Sequence, residues 1–572
     1  MKKTLAILLV FCTIFSVLTA CAGTGDTSGP TKAPTTTAPT TPKTDPPSDG
    51  GLVLADLGAM PLITSGEYTL TIGIPQNVQV TDYYDNYLTN LIQEKSGLNL
   101  EFVFFPSTGP EAIQKLELMV SANQELPDLT TAINVGMLGK QNYGSQGVFL
   151  ALDEYLENDS HWLEISKELY LTEQEKKDMY TYYTSADGHI YGFPYIVSDP
   201  TDDTSHSLWI NNTWLTTLGL EMPKTTEDFY NVLTAFKNDD PNGNGTNDEI
   251  PFVGSTAWVS DPTFCILSSF VYFTPVRLNV DNGIISAPYV QDEYREGLRY
   301  LNRLVKEELL NPLSFTQDGA SHKAMLDLTP DQDSYVGVFS GHPHTKFAVD
   351  SIKRMEYTSI PPLTGPAGVA YSPMELTGYG MSVHITRDAK NPQLVFRFLD
   401  MMCQDELSLS VRFGKQGDDW RFAESGEPAR SENTTPVYWT SNKRWTTENN
   451  VIWNSNAFNF LPKGLFGAGV KQVYDNEATQ YRQDDFFRSV AERVGKQPEQ
   501  TVNILIYTKE EQEKINDFET NIKTYEAEQR VLFITGVRDI DNDWDNYVNE
   551  LKTMGLDSYL EIVQTCYDRM FK

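Results

Sequence analysis

Cysteine is scarce in this chain, five in 572 residues. Beyond residue 21 there remain Cys265, Cys403 and Cys566, an odd number scattered without motif. That excludes a disulfide framework and reads as three small buried hydrophobes. Basic side chains are also short: 44 Lys and Arg face 78 Asp and Glu, a net charge of −34. A field of that sign opposes nucleic acid and anionic lipid headgroups. After the first twenty residues no run is long and apolar enough to span a bilayer. Three motifs are missing as well: the Gly-x-Ser-x-Gly nucleophile elbow, the Walker A loop and the His-Glu-x-x-His zinc helix. No tandem repeat is present.

What is present starts at the N-terminus. Lys2 and Lys3 precede an apolar stretch from Leu5 to Leu18, then Leu18-Thr19-Ala20-Cys21. Charged start, short apolar run and small residues before a cut make a signal peptide over 1–20. Cys21 after Leu-x-Ala resembles the bacterial lipobox, in which the thiol is acylated and becomes the anchored N-terminus. Residues 22–50 are almost wholly Thr, Pro, Gly, Ser, Ala and Asp. Such a composition buries no apolar face and stays extended. Residues 21–65 are therefore expected to form a lipid-anchored tether on an outer membrane face. Loss of Lys2 and Lys3 with the signal takes the basic count from 44 to 42 against 78 acids, a net charge of −36.

The remaining body exceeds one compact core, so two lobes are expected. Tyr68–Ile74 alternates like a strand, and Tyr84, Tyr87, Leu88, Leu91 and Ile92 recur at helical spacing before Gly97. Leu98–Phe105 is a second strand and 111–122 a second amphipathic helix. Strand–helix–strand–helix order argues an α/β fold with a mainly parallel sheet. The order returns with strands near 207–211, 335–339 and 380–385, and the tail from 508 to 571 is rich in helix.

The sharpest internal motif is Asp240-Pro-Asn242-Gly-Asn244-Gly245-Thr246-Asn247-Asp248-Glu249-Ile-Pro251. Oxygen side chains at positions 1, 3 and 5 with Gly at 6 follow EF-hand logic for a hard cation. Thr246 at position 7 offers its carbonyl. Position 12 is Pro251 rather than Glu, so Asp248 and Glu249 are expected to close a structural Ca²⁺ site.

Several stretches, in order, resemble family 1 extracellular solute-binding proteins, the lipoprotein receptors of ABC sugar importers, including alginate-oligosaccharide binders and LplA-type lipoproteins. They are the lipobox, Glu125–Asp128, Asp187–Pro194, Leu208-Trp-Ile with Trp214–Leu220, the loop 240–251, Pro361–Pro366, Arg412–Trp420, Trp544–Tyr547 and Met554–Tyr559. The chain departs at Asn211-Asn212-Thr213, where relatives often carry Arg-Lys-Asp. The resemblance implies a two-lobe, type II periplasmic-binding-protein-like α/β fold with a hinge and an interlobe cleft. The N-lobe is placed at 66–200 plus 352–405 and the C-lobe at 201–351 plus 406–572. It further implies a monomer that captures an oligosaccharide and delivers it to importer permease subunits, with no catalysis. A peptide- or signal-binding lipoprotein of the same fold, and a secreted glycoside hydrolase needing two opposed carboxylates, are the alternatives.

A saccharide site needs flat aromatic platforms with amide or carboxylate partners. Trp258, Trp420, Trp439, Trp445 and Trp453 are candidate platforms, led by Trp453 and Trp258. Tyr195 lies near the first expected crossing, and Asp85 near a strand's C-terminal end, where α/β clefts hold ligand. Asp128 and His342 complete the expected hydrogen-bond partners.

Overall fold

The computed structural model describes residues 51–194, 196, 206–257, 259–348, 350–374, 383–429, 435–440, 448–458, 460–471, 477–502 and 504–571. Eight strands build two four-stranded sheets: β1 (Thr69–Pro75), β2 (Asn99–Phe105), β3 (Leu129–Thr131), β4 (Leu208–Asn211), β5 (Ile250–Val253), β6 (Val336–Ser340), β7 (Tyr357–Ile360) and β8 (Val383–Ile385). The first sheet has the order β8-β3-β1-β2 and the second β7-β4-β6-β5.

Local chemistry explains the flanking helices. Tyr87–Ser96 starts at Asn86, whose side chain accepts from the Leu88 amide, and ends at Gly97 in the left-handed region at φ 73°. Asp82, just ahead of it, closes a turn by accepting from the Tyr84 amide at 2.7 Å. Thr226–Asn238 opens on a capping box between Thr225 and Asp228. Leu70, Ile72, Ile74, Leu88 and Ile92 fill the first core, and Phe229, Phe236, Phe252, Tyr294 and Leu298 the second.

Three expectations are corrected. Residues 51–65 are not tether: Val53–Leu54 and Ile63–Ser65 pair antiparallel, and Leu62 donates its amide to Ser96 at 2.8 Å. Alternating apolar residues there find a core to cover, which the Pro- and Thr-rich stretch before them cannot do.

The sheets are less parallel than expected. β4 runs antiparallel to both β6 and β7, and β8 antiparallel to β3. These are the strands entered directly from the other lobe. Each begins at the edge where its parallel neighbours end, with Leu208 opposite Ser340 and Val383 opposite Thr131. It must therefore run the other way.

The lobe boundaries move as well. Tyr357–Ile360 pairs with β4, so 352–360 belongs with the second sheet. Leu407, Val411, Trp453, Phe458 and Phe460 pack in the first core, so the segment through 471 stays there. Phe486 and Val490 then join Trp209 and Phe339 of the second sheet, and the tail helices Lys509–Thr535, Trp544–Thr553 and Leu556–Phe571 complete the second core. The chain thus passes between lobes three times, after 196, 374 and 471.

Candidate ligand cleft and cation loop

The register places Pro75, Phe105, Thr131 and Val383 at one edge of the first sheet, and Leu208, Val253, Ser340 and Ile360 at one edge of the second. The crossings leave from these edges, so the two lips flank the hinge. Two crossing segments lie side by side: Phe193 donates its amide to Val383 O at 2.8 Å, and His384 Nδ1 donates to Tyr191 O at 2.7 Å. His384 stacks flat on Phe149 at 4.0 Å, and burial pushes its pKa down to about 3. His384 at the hinge root is therefore neutral.

The first lip is a cluster of amides. Asn454 Nδ2 donates to Asn77 Oδ1 at 3.3 Å and Gln79 Oε1 at 3.1 Å, and its Oδ1 accepts from Asn449 Nδ2 at 3.2 Å. Asn456 holds the end of β1 through Pro75 O, and Thr131 Oγ1 donates to Asn456 O at 3.1 Å. Asn454 sits at φ 53°, a region asparagine tolerates. Gln76 is exposed, and Asn77 and Gln79 are half-buried. Planar amides at a strand end are the groups that bind paired hydroxyls. Sequence reasoning missed this cluster because its halves lie over 370 positions apart; the repeated Asn at 449, 450, 454 and 456 was the available signal.

The second lip is hydroxyl- and imidazole-rich: Ser255 and Ser260 after β5, Ser340 to His344 after β6. His342 is buried, accepts from the His344 amide through Nδ1 at 3.3 Å, and packs on Phe486 with centroids 4.8 Å apart. It follows β6 on this lip. Asp85 is exposed on the first lip, its carbonyl held by the Asn450 side chain.

Two expected contacts are corrected. Trp453 is fully buried; its Nε1 donates to Thr89 Oγ1 at 2.8 Å and its ring meets Phe102 edge-on. It offers no face to a ligand because the polar residues around it form the lip while its ring fills the core beneath. Asp128 is also buried, and both oxygens are occupied: Oδ1 by Tyr68 Oη at 3.1 Å and the Lys390 amide at 3.0 Å, Oδ2 by the Thr71 amide and hydroxyl. It ties β1 to β3 instead. Trp420 is core too, whereas Trp439 stays half-buried under Arg421 at 5.4 Å. Trp258, Tyr195, Trp445 and Cys21 lie outside the described residues.

The loop 240–251 curls as its motif implies. Asp240 Oδ2 accepts from the Gly245 amide at 3.0 Å, Asn242 Oδ1 from Asn244 at 3.0 Å, and Asn244 Oδ1 from Thr246 at 2.7 Å. Gly243 and Gly245 both take left-handed φ, 72° and 75°. Asn244 Nδ2 donates to Asp248 Oδ1 at 3.1 Å. Asp240 Oδ1 and both Glu249 oxygens are buried and accept no hydrogen bond among the described residues. Burial, with Asp248 and Asp240 adding repulsion, pushes the Glu249 pKa up. Among the described residues no three His, Cys, Asp or Glu side chains already converge as ligands, yet orphaned carboxylate oxygens beside amide and carbonyl oxygens fit a hard cation in chemistry and number. The loop enters β5 at its start, the end remote from the lips.

Two lobes, three crossings and a polar lip at the strand ends of each sheet are the architecture of a hinged ligand-binding protein. Residues 77–406 match the bacterial extracellular solute-binding protein family, and the chain belongs to it. It is 26% identical over 504 residues to the fructooligosaccharide ABC transporter substrate-binding protein FusA of Streptococcus pneumoniae serotype 4, covering 85% of this chain and 88% of that one. The fold is shared with a FusA EF-hand mutant in complex with fructo-nystose (TM-score 0.63, 23% identity, 88% of this chain and 99% of that one). It is shared also with an extracellular solute-binding protein from Bifidobacterium longum subsp. infantis (TM-score 0.70, 20% identity, 89% and 99%).

Proposed function

We propose that this chain is a lipid-anchored extracellular receptor of an ABC importer, monomeric, binding an oligosaccharide between its lobes and handing it to the permease subunits. The observation that carries this is the amide lip of Asn77, Gln79 and Asn454 at the strand ends beside the hinge. The name of the FusA relative supports an oligosaccharide ligand and an ABC partner. Closure follows if ligand has higher affinity for the closed arrangement than the open one. Gln79, Asp85, His342 and Tyr195 are assigned hydrogen bonds to hydroxyls, and Trp258 the stacking platform. Ca²⁺ is assigned to Asp240, Asn242, Asn244, Thr246, Asp248 and Glu249, where it would supply positive charge to the orphaned oxygens. The EF-hand named in the FusA relative supports that assignment.

The test is titration of the mature chain with a glycan panel alongside small-angle scattering. Binding with compaction is expected. Gln79→Ala should weaken it about tenfold, the worth of a hydrogen bond left unmade, and Trp258→Ala roughly ten- to hundredfold. Peptides that bind and compact the protein, with no glycan binding, would establish the peptide-receptor reading instead.

A further inference from the structure

Several deeply placed cations among the described residues are held by acids, and Lys140 is covered by the rings of Tyr182 and Tyr183. Arg354 meets Asp485 at 2.6 Å, Lys353 meets Glu356 at 2.8 Å, and Arg277 meets Glu526 at 2.9 Å. Lys346 departs from that pattern. It is 2% exposed, and among the described residues its ammonium has neither carboxylate nor hydrogen-bond acceptor. Burying an uncompensated charge is costly, and a chain with 78 acidic residues has no shortage of partners.

Its position gives the omission a meaning. Lys346 follows the turn Pro343–Thr345 that leaves β6 on the second lip. A Cβ added at Gly341 would stand 3.2 Å from Lys346 Cε and 2.5 Å from Ser260 Oγ, so the lysine tail and the loop after β5 converge where Gly341, at φ 124°, makes room. His322 lies within electrostatic reach of Lys346. Its Nδ1 pairs with Ser255 Oγ at 3.1 Å, and its Nε2 is buried with no partner among the described residues. Burial first, and Lys346 second, push His322 down to about 3, so the ring is neutral and Lys346 holds the local charge. If Nδ1 accepts from Ser255, Nε2 carries the hydrogen and is a second donor.

Resting on the reading of this cleft as a saccharide site, we propose that Lys346, with His322 Nε2, receives a carboxylate of the ligand, so that the captured oligosaccharide contains acidic sugar residues. One ammonium and one neutral N–H match the two oxygens of a monoanion. Ligand arrival supplies the missing counter-charge, and the preference is confined to sugars that carry it.

The experiment is calorimetric titration of the mature wild-type chain with galacturonate, glucuronate and mannuronate oligosaccharides, their methyl esters, neutral oligosaccharides of equal length, and sugar phosphates. At least one uronate is expected to bind ten- to hundredfold more tightly than its ester. Lys346→Met should remove that preference, and Lys346→Arg should retain part of it. Should the Met variant fail to fold, the His322 ring nitrogen shifts of the wild type must move with the acid and not with the ester. Equal affinity for acid and ester overturns this inference and leaves the saccharide reading standing. A preference for sugar phosphates overturns the carboxylate assignment. No saccharide binding at all overturns both readings.

Discussion

Lys140 is the clearest single residue to perturb. It is 4% exposed, lies over the rings of Tyr182 and Tyr183 at 4.8 and 5.1 Å, and burial pushes it down to about 8 from 10.5. The neighbouring His384 is neutral and adds no like-charge repulsion to it. A base with a depressed folded pKa binds fewer protons folded than unfolded between those values, so stability rises with pH across pH 8 to 10.5. Below pH 8 the whole penalty is present, up to about 3 kcal/mol. Lys140→Met should therefore raise the urea midpoint at pH 7, and the gain should shrink by pH 10; an equal gain at both values would refute the cause. Trp453→Ala tests the corrected role of that ring. A core tryptophan removed costs about 3–5 kcal/mol. Thermal melting should drop accordingly, while the affinity of the surviving folded protein stays within a few-fold of wild type.

At the scale of elements, the loop 240–251 is legible in sequence because all its oxygens come from twelve consecutive residues. Its Asx turns and left-handed glycines follow from those residues alone. A cation that binds only the folded loop adds RT ln(1 + [L]/Kd), about 2.7 kcal/mol at 100-fold saturation. Chelator is expected to lower the melting temperature, and Asp240→Ala with Asp248→Ala should abolish the response. Equal melting after metal analysis proves removal would sink the assignment. The first helix was legible for the same local reason: Gly97, where its apolar spacing stops, ends it in the left-handed region. Strand direction was not. β4 and β8 look like any apolar strand, and only their arrival from the opposite lobe reverses them.

The proposed attachment to a membrane belongs to the scale of the whole molecule. If Cys21 carries lipid, Cys21→Ser should move the protein from the membrane fraction to the medium. Unchanged fractionation, with no lipid mass on the N-terminal peptide, would exclude the anchor. No helix among the described residues is long and apolar enough to cross a membrane.

The sequence by itself determined the net acidic charge, the α/β class, the turns of the loop 240–251 and the family. Each depends on neighbours in the chain or on motifs in order. Tertiary structure decided where the lobes exchange chain, that residues 51–65 belong to the body, and which polar groups form the lips. Asp128 and Trp453 have the composition of ligand contacts, but Tyr68, Thr71 and Lys390 occupy the one, and Thr89 and Phe102 enclose the other. Asn77 meets Asn454, and Gly341 meets Ser260, through folding alone. A cleft assembled from strand ends of distant segments is a property of the packing, because hydrogen-bond partners hundreds of residues apart leave no local pattern to read.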